Sequence, residues 1–572
     1  MTYFIELMFM LDADNAGEVY NVERAGGGGL IEAVDGESVR SPVSAEEGDV
    51  LGGIEIDLEP TMSATVSVSQ GEISGTSEDG LVVFRGIPYA APPTGVNRWQ
   101  PPQPHPGWDG VLAATNFGAE APQNPSPLDA MMGGAGKTPS RNEDCLFLNI
   151  WTPSTDTARR PVLFWIHGGA FTIGSGSQPV YDGQYLAREG DVVVVTINYR
   201  MGALGFMNLA ALTGGRIPAT GNEGLLDQVA ALAWVRDNIT SFGGDPDNVT
   251  IFGESAGGMS CGALLAMPAA RGLFHKAIPQ SGACHIAITP HEAQAVAAAT
   301  LEAVGVDPAD TDAIMALPEA QLTAVQQKVN EIAAERGLPG MPYQPVIDGS
   351  VLPKKPIECV REGSAVGIAI MAGSTADEWK LFTGIMPSGA DNEAELIALG
   401  ESQFNVSGAA GVAAYKAVLE ARGADTSAAE LASAMMTDRV FRMPWIYLLE
   451  AQVAHDERVY GYRFDFPAAL LGGTLGACHA GELGFVFGTY DKDGAESFFG
   501  KGEVADQVSA MTRAAWLNFA RTGNPTGGIV PDWPSYTSPD RATMVINAET
   551  GVQERPEDAT RVIWRESATG SL

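Results

Sequence analysis

The stretch Asn248-Val249-Thr250-Ile251-Phe252-Gly253-Glu254-Ser255-Ala256-Gly257-Gly258 restricts what this chain can fold into more than any other. Val249 to Phe252 is β-branched and aromatic and reads as a buried strand. Apolar residues through Leu264, Leu265 and Met267 then read as a helix that Pro268 stops. Between them, Gly-Glu-Ser-Ala-Gly leaves room only for a tight turn. Such a turn lifts the Ser255 hydroxyl clear of a sheet, and the flanking glycines let the backbone pass without Cβ clashes. The pattern G-x-S-x-G decides little by itself in a chain with 68 glycines. It recurs at Gly258-Met259-Ser260-Cys261-Gly262, but Ser260 lies more than a turn into the helix. There its hydroxyl is expected to bond to backbone or pack against the sheet. Ser255 directly follows a strand. The alternative for Gly253–Gly257 is a glycine-rich strand-to-helix turn without chemistry.

The surroundings fit an α/β architecture. Strands are expected at Thr65–Ser69, Leu81–Phe84, Leu146–Trp151, Val162–Ile166 and Val192–Ile197, the last an unbroken apolar run suited to burial on both faces. Lys276–Pro279, Val366–Met371 and Val459–Phe464 follow. Helices are expected over Glu223–Ile239 and Val504–Arg521. This alternation predicts a large, mainly parallel central sheet with helices on both faces. Residues 290–440 are richer in alanine, with helical patterns at His291–Val304 and Glu393–Leu399, and are expected to form a cap-like insertion that shapes a pocket. Residues 1–61 combine a glycine run at 26–29 with an acidic stretch, and lack the basic start of a secretory signal. They read as a dispensable extension, with Met62 opening the domain 62–572.

Lys+Arg 34 against Asp+Glu 70 gives a formal charge of −36, a field that repels nucleic acid and anionic membrane. No apolar run approaches the ~18 residues of a membrane span. Cys145, Cys261, Cys284, Cys359 and Cys478 are widely spaced, without a C-x-x-C pair or metal-ligand spacing. The expectation is reduced thiols in the cytoplasm, with no metal and no cofactor.

A nucleophilic serine needs a base, an acid to orient that base, and donors for an oxyanion. In a sheet of this kind the acid and then the histidine follow the serine in chain order. Strand Val162–Ile166 runs into His167-Gly168-Gly169-Ala170-Phe171, whose small residues expose backbone N–H groups. Those of Gly169 and Ala170, with that of Ala256, could converge on a developing oxyanion. Of the seven histidines, His105 and His167 precede the serine, and His275, His285 and His291 follow it too closely to admit an acid between. His455 lies in a segment read as helix. His479, in Gly476-Ala477-Cys478-His479-Ala480-Gly481-Glu482, is the best placed, against the alternative of a solvated loop histidine. For the acid, Ala372-Gly373-Ser374-Thr375-Ala376-Asp377-Glu378-Trp379 offers two carboxylates, and sequence physics does not choose between Asp377 and Glu378.

These stretches, with Phe84-Arg85-Gly86-Ile87-Pro88-Tyr89-Ala90, Glu143-Asp144-Cys145-Leu146-Phe147-Leu148-Asn149 and Gly224-Leu225-Leu226-Asp227-Gln228, resemble the type-B carboxylesterases, which include cholinesterases and bacterial para-nitrobenzyl esterases. The match runs in order over about residues 65–565. It implies an α/β-hydrolase fold and hydrolysis of small-molecule carboxylic esters through an acyl-enzyme. It implies Ser255 as nucleophile, Glu378 rather than Asp377 as acid, His479 as base, Gly169, Ala170 and Ala256 as oxyanion hole, and Glu254 with Ser281 as a supporting pair. An amide or carbamate hydrolase using the same triad is the alternative. A non-catalytic binding protein of this fold would lack the serine. Where cholinesterases carry a choline-stacking tryptophan, the count lands on Ala135. Where secreted relatives carry a cysteine before Pro-Gln, this chain has Ala121, which leaves Cys145 unpaired.

Overall fold

The computed structural model describes residues 64–126, 140–383, 390 and 392–566. The extension 1–61 and Ala135 lie outside them. Among the described residues fourteen strands occur: β1 (Thr65–Val68), β2 (Gly71–Ser74), β3 (Thr76–Glu78), β4 (Leu81–Pro88), β5 (Val111–Ala113), β6 (Phe147–Thr152) and β7 (Arg160–Ile166). After them come β8 (Val193–Ile197), β9 (Gly244–Glu254), β10 (Lys276–Gln280), β11 (Ala369–Thr375), β12 (Val459–Phe464), β13 (Thr543–Ile546) and β14 (Gly551–Gln553).

Strands β1, β2 and β5 form a small sheet; the other eleven form one sheet in the order β14-β13-β12-β11-β10-β9-β7-β8-β6-β4-β3. The ladders from β8 through β13 are parallel, and the edges β13–β14, β6–β8, β4–β6 and β3–β4 are antiparallel. The expectation of a mainly parallel sheet therefore holds for the centre, and the antiparallel rim makes the whole mixed. Every residue of β8, β10, β11 and β12 is buried, as strands covered on both faces require. Two apolar cores flank the sheet: Val162, Phe164 and Ile166 of β7 face one, and Leu163 and Trp165 face the other.

Several element boundaries differ from expectation, β4 and β9 running longer than their apolar runs. The strand expected at Val366–Met371 is Ala369–Thr375. Val366 is 62% exposed, and Gly367 at φ 79° turns the chain before the strand begins. The insertion is correspondingly divided, because β11 belongs to the central sheet. Helices such as Pro290–Val304 and Gln326–Glu335 come before it, and Glu393–Gln403, Gly408–Ala421 and Ala428–Thr437 come after. His455 is not helical: the helix Met443–Gln452 stops before it. No helix among the described residues is long and apolar enough to cross a membrane.

Parallel order sends the C-terminal ends of β7, β9, β11 and β12 to the same edge of the sheet. The glycine turn after β7, Ser255 after β9, Glu378 after β11 and the His479 loop after β12 all emerge there, the place where open α/β sheets carry their sites.

Candidate active site

Ser255 is the single residue between β9 and the helix Ala256–Ala266, and its backbone stands at φ 57°, ψ −124°. This is a conformation that L residues avoid and that persists only when the surroundings enforce it. They do. A Cβ on Gly257 would lie 2.0 Å from the Ile166 carbonyl oxygen, and one on Gly253 would lie 2.6 Å from the same atom. The turn is thus pressed against the end of β7, and glycine alone fits on either side of the serine. The Ser255 N–H donates to the Gln280 carbonyl (2.9 Å), which ties the turn to β10.

The chain after β7 is bent as sharply. Gly169, Ala170 and Phe171 follow one another at φ 106°, 52° and 60°. The Gly169 carbonyl accepts from the N–H groups of Thr172 and Ile173, both at 3.0 Å. Among the described residues, the N–H groups of Gly169 and Ala170 have no acceptor. The turn is braced from outside. Gln123 exchanges two hydrogen bonds with the backbone of Gly174, and the Tyr199 hydroxyl donates to the His167 carbonyl at 2.9 Å. The His167 ring stacks on Tyr199, and burial pulls its pKa down to about 4 against the raising effect of the Gly168 carbonyl, so it stays neutral.

Of the two candidate acids, Glu378 reaches the imidazole. Its Oε2 stands 2.5 Å from His479 Nδ1, its Oε1 accepts from the Thr375 N–H at 2.8 Å, and it is fully buried. Asp377 points elsewhere: it accepts from the Ala477 N–H at 3.1 Å and pairs with Lys380 at 3.5 Å, clamping the loop that carries His479. The other imidazole nitrogen, Nε2, lies 3.1 Å from Oε1 of Glu254. The Ser255 hydroxyl makes no hydrogen bond among the described residues, so the structure brings His479 to both carboxylates and not, at rest, to the serine oxygen. Phe441 and Phe382 flank the ring, with centroids 4.7 and 5.1 Å away. Phe441 is carried by a π-helical turn, Asp438–Arg442. Burial pulls the His479 pKa down, but Glu254 and Glu378 outweigh it and raise the value to about 9. Burial raises Glu254 to about 8, against the attraction of His479.

Ser281 is buried, at φ 46°, and its hydroxyl has no hydrogen-bond partner among the described residues. Three residues nearby carry the site without having been singled out in the sequence. Glu482, three positions after His479, accepts from the Gln280 side-chain amide at 3.0 Å, and burial lifts its pKa to about 7. The Gln280 amide oxygen accepts from Trp516 Nε1 at 3.0 Å. The spacing of Glu482 from His479 was the available signal; its partners are remote in sequence. The buried Ser260 hydroxyl accepts from the Gln228 side chain at 3.0 Å. Of the remaining histidines, His275 accepts from the Val249 N–H, and His105 from the Gly107 N–H.

A serine at a strained strand-to-helix turn, an imidazole held by a buried carboxylate and unsatisfied N–H groups beside them is an arrangement suited to acyl transfer. Comparison with known proteins agrees. The profile of the carboxylesterase family matches residues 62–564. The chain is 40% identical over 501 residues to a para-nitrobenzyl esterase of Bacillus subtilis (strain 168), covering 87% of this chain and 97% of that one. It is 36% identical to a phenmedipham hydrolase of Pseudarthrobacter oxydans, covering 84% and 94%. Its fold superposes on the crystal structure of the Geobacillus stearothermophilus carboxylesterase EST55 at pH 6.2 with a TM-score of 0.77 and 41% identity, over 88% of this chain and 100% of that one. With the site and the relatives in agreement, the chain belongs to the carboxylesterase family and is a serine hydrolase of carboxylic esters.

Proposed function

We propose that Ser255 is the nucleophile, His479 the base and Glu378 the acid of this esterase. His479 Nε2 takes the Ser255 proton as Oγ attacks the ester carbonyl. The carbonyl oxygen becomes an oxyanion held by the N–H groups of Gly169, Ala170 and Ala256. Collapse of this intermediate expels the alcohol, which His479 protonates, and leaves the acyl group on Oγ. Water, deprotonated by the same imidazole, attacks the acyl-enzyme and releases the acid. Glu378 holds the ring with its proton on Nδ1 and stabilises the imidazolium. The serine–imidazole bond forms as substrate arrives; such bonds are often long at rest and tighten in the complex.

The observation that carries this reading is the 2.5 Å bond between Glu378 and the only histidine that follows β12 on the active edge. The aromatic flank of Phe382 and Phe441 favours neutral esters with an aryl or benzyl group, in keeping with the para-nitrobenzyl esterase relative. Five free, buried cysteines favour a reducing, cytoplasmic setting. The test is labelling of folded protein with a fluorophosphonate and mapping of the adduct. Modification at Ser255 with loss of turnover supports the assignment. Full turnover in Ser255→Ala overturns it.

A further inference from the structure

The peptide between Gly168 and Gly169 carries an N–H assigned above to the oxyanion, and its carbonyl is held by one side chain. In a trans peptide the C=O and the N–H point in opposite directions, and no cis peptide occurs among the described residues. Whatever fixes the Gly168 carbonyl therefore fixes the direction of the Gly169 N–H. That carbonyl lies 2.8 Å from His167 Nδ1. A carbonyl only accepts, so Nδ1 carries the proton of the neutral ring and donates. Nε2 is then bare, and it is buried without a hydrogen-bond partner among the described residues. The other tautomer would strand a buried N–H on Nε2 and set two acceptors face to face.

The ring is locked in place. His167 is 1% exposed, and its ring stacks on Tyr199 with centroids 4.5 Å apart and planes 18° from parallel. The buried Tyr199 hydroxyl donates to the His167 carbonyl at 2.9 Å, so the preceding peptide is held as well. Gly174, at φ 107°, closes another side: a Cβ there would lie 2.6 Å from both His167 Nδ1 and the Gly168 carbonyl oxygen. Toward the nucleophile, a Cβ on Gly168 would lie 3.1 Å from Ser255 Cβ. The same peptide thus has Ser255 on one side and an imidazole on the other. It also needs the restraint. A peptide between two glycines flips at little steric cost, and a flip would turn a carbonyl oxygen, in place of the N–H, toward the developing negative charge.

We propose that His167 is a positioning residue for ester hydrolysis: its Nδ1–H holds the Gly168 carbonyl and so keeps the Gly169 N–H aimed at the oxyanion. This rests on the assignment of Gly169 to the oxyanion hole. The ring touches no substrate and transfers no proton. Burial holds it neutral, which preserves the donating tautomer around neutral pH.

The test uses the full chain, with an aryl trifluoromethyl ketone as probe. Ser255 Oγ adds to the ketone carbon, its proton passes to His479, and the carbonyl electron pair becomes an oxyanion, so affinity for the ketone reports on the hole. His167→Phe keeps a ring against Tyr199 and lacks the donor. It should lower kcat about 10²-fold and weaken ketone binding by a like factor, with KM little changed. His167→Asn places an amide donor where Nδ1 stood and should recover most of that loss, although its smaller side chain packs less well; a packing role alone would reverse this order. Thermal unfolding checks that each variant folds. Should His167→Phe not fold, Tyr199→Phe carries the test, with a several-fold loss of kcat and ketone affinity at constant KM. Parent-like ketone binding in the folded variant of the two, or a His167→Asn no better than a folded His167→Phe, overturns the proposal. A parent enzyme that hydrolyses esters yet forms no adduct with the ketone overturns the oxyanion-hole assignment beneath it.

Discussion

Glu254 Oε1 stands 3.1 Å from His479 Nε2, while Glu378 holds Nδ1 of the same ring, so the imidazole has a carboxylate at each nitrogen. A base flanked in this way keeps its proton to higher pH than usual. If His479 is the base, as proposed, its value of about 9 means that the neutral ring grows in as pH rises toward that value, and kcat/KM should climb on the alkaline side of neutrality. Glu254→Gln removes one of the two charges that raise it. The acid limb of kcat/KM is then expected to move to lower pH, by about one unit, in a pH-rate profile.

The same groups set a stability trend. His479 and Glu254 both have folded pKa values above their ordinary 6.5 and 4.5, so the folded state binds more protons than the unfolded chain. The His479 contribution is fully present below about pH 6.5 and is lost as pH rises through about 9. Glu254, raised by burial, lowers stability progressively between about pH 4.5 and 8 as its proton is drawn away. Unfolding midpoints should therefore fall from pH 7 to pH 9, and fall less in Glu254→Gln.

Glu378→Gln keeps the shape of the acid and removes its charge. If Glu378 orients and stabilises the imidazolium, kcat drops about 10⁴-fold with little change in KM or in the unfolding midpoint. Asp377→Asn, which touches the histidine loop and not the ring, should cost far less in kcat. Steady-state kinetics of the two side by side separates the neighbours.

Gly257→Ala places a Cβ 2.0 Å from the Ile166 carbonyl oxygen, a backbone atom of the central sheet that cannot step aside. The expected loss is about 3 kcal/mol or more, with activity gone, measured by denaturant unfolding. Gly272→Ala, where a Cβ meets nothing within 4 Å but φ is 79°, should cost only about 1 kcal/mol.

Gln280→Leu strands Glu482 and Trp516 Nε1 together, since the one amide serves both. Two buried groups without partners cost about 2–5 kcal/mol, and the change should lower the unfolding midpoint in calorimetry. We also expect a chain begun at Met62, where the family match begins, to keep its ester turnover and solubility. Loss of either in the shortened protein would make residues 1–61 part of the working enzyme.

What was legible in the sequence was local. The β9–Ser255–helix turn could be read because β-branched residues, glycines and a helix stop stand next to one another, and β12 was placed at its observed limits. The choice between Asp377 and Glu378 could not be made from residue chemistry, because both are acids on one short turn. The fold separates them: Asp377 accepts from the Ala477 N–H, while Glu378 reaches the His479 ring. Glu482 had no role in the sequence because its partner Gln280 is 202 positions away. The partner of Ser260 was out of reach for the same reason: Gln228, which donates to it, sits on another helix. Val366 looked like the start of a strand because apolar pattern does not register Gly367, where the backbone turns left-handed.

At Ser255 the unusual backbone angles are imposed from outside, by glycines wedged under the end of β7, and owe nothing to the hydroxyl. The position behaves as a socket. Whatever small, unbranched side chain is installed there is presented at the same height and angle, so the fold supplies the aim and the residue supplies only the chemistry.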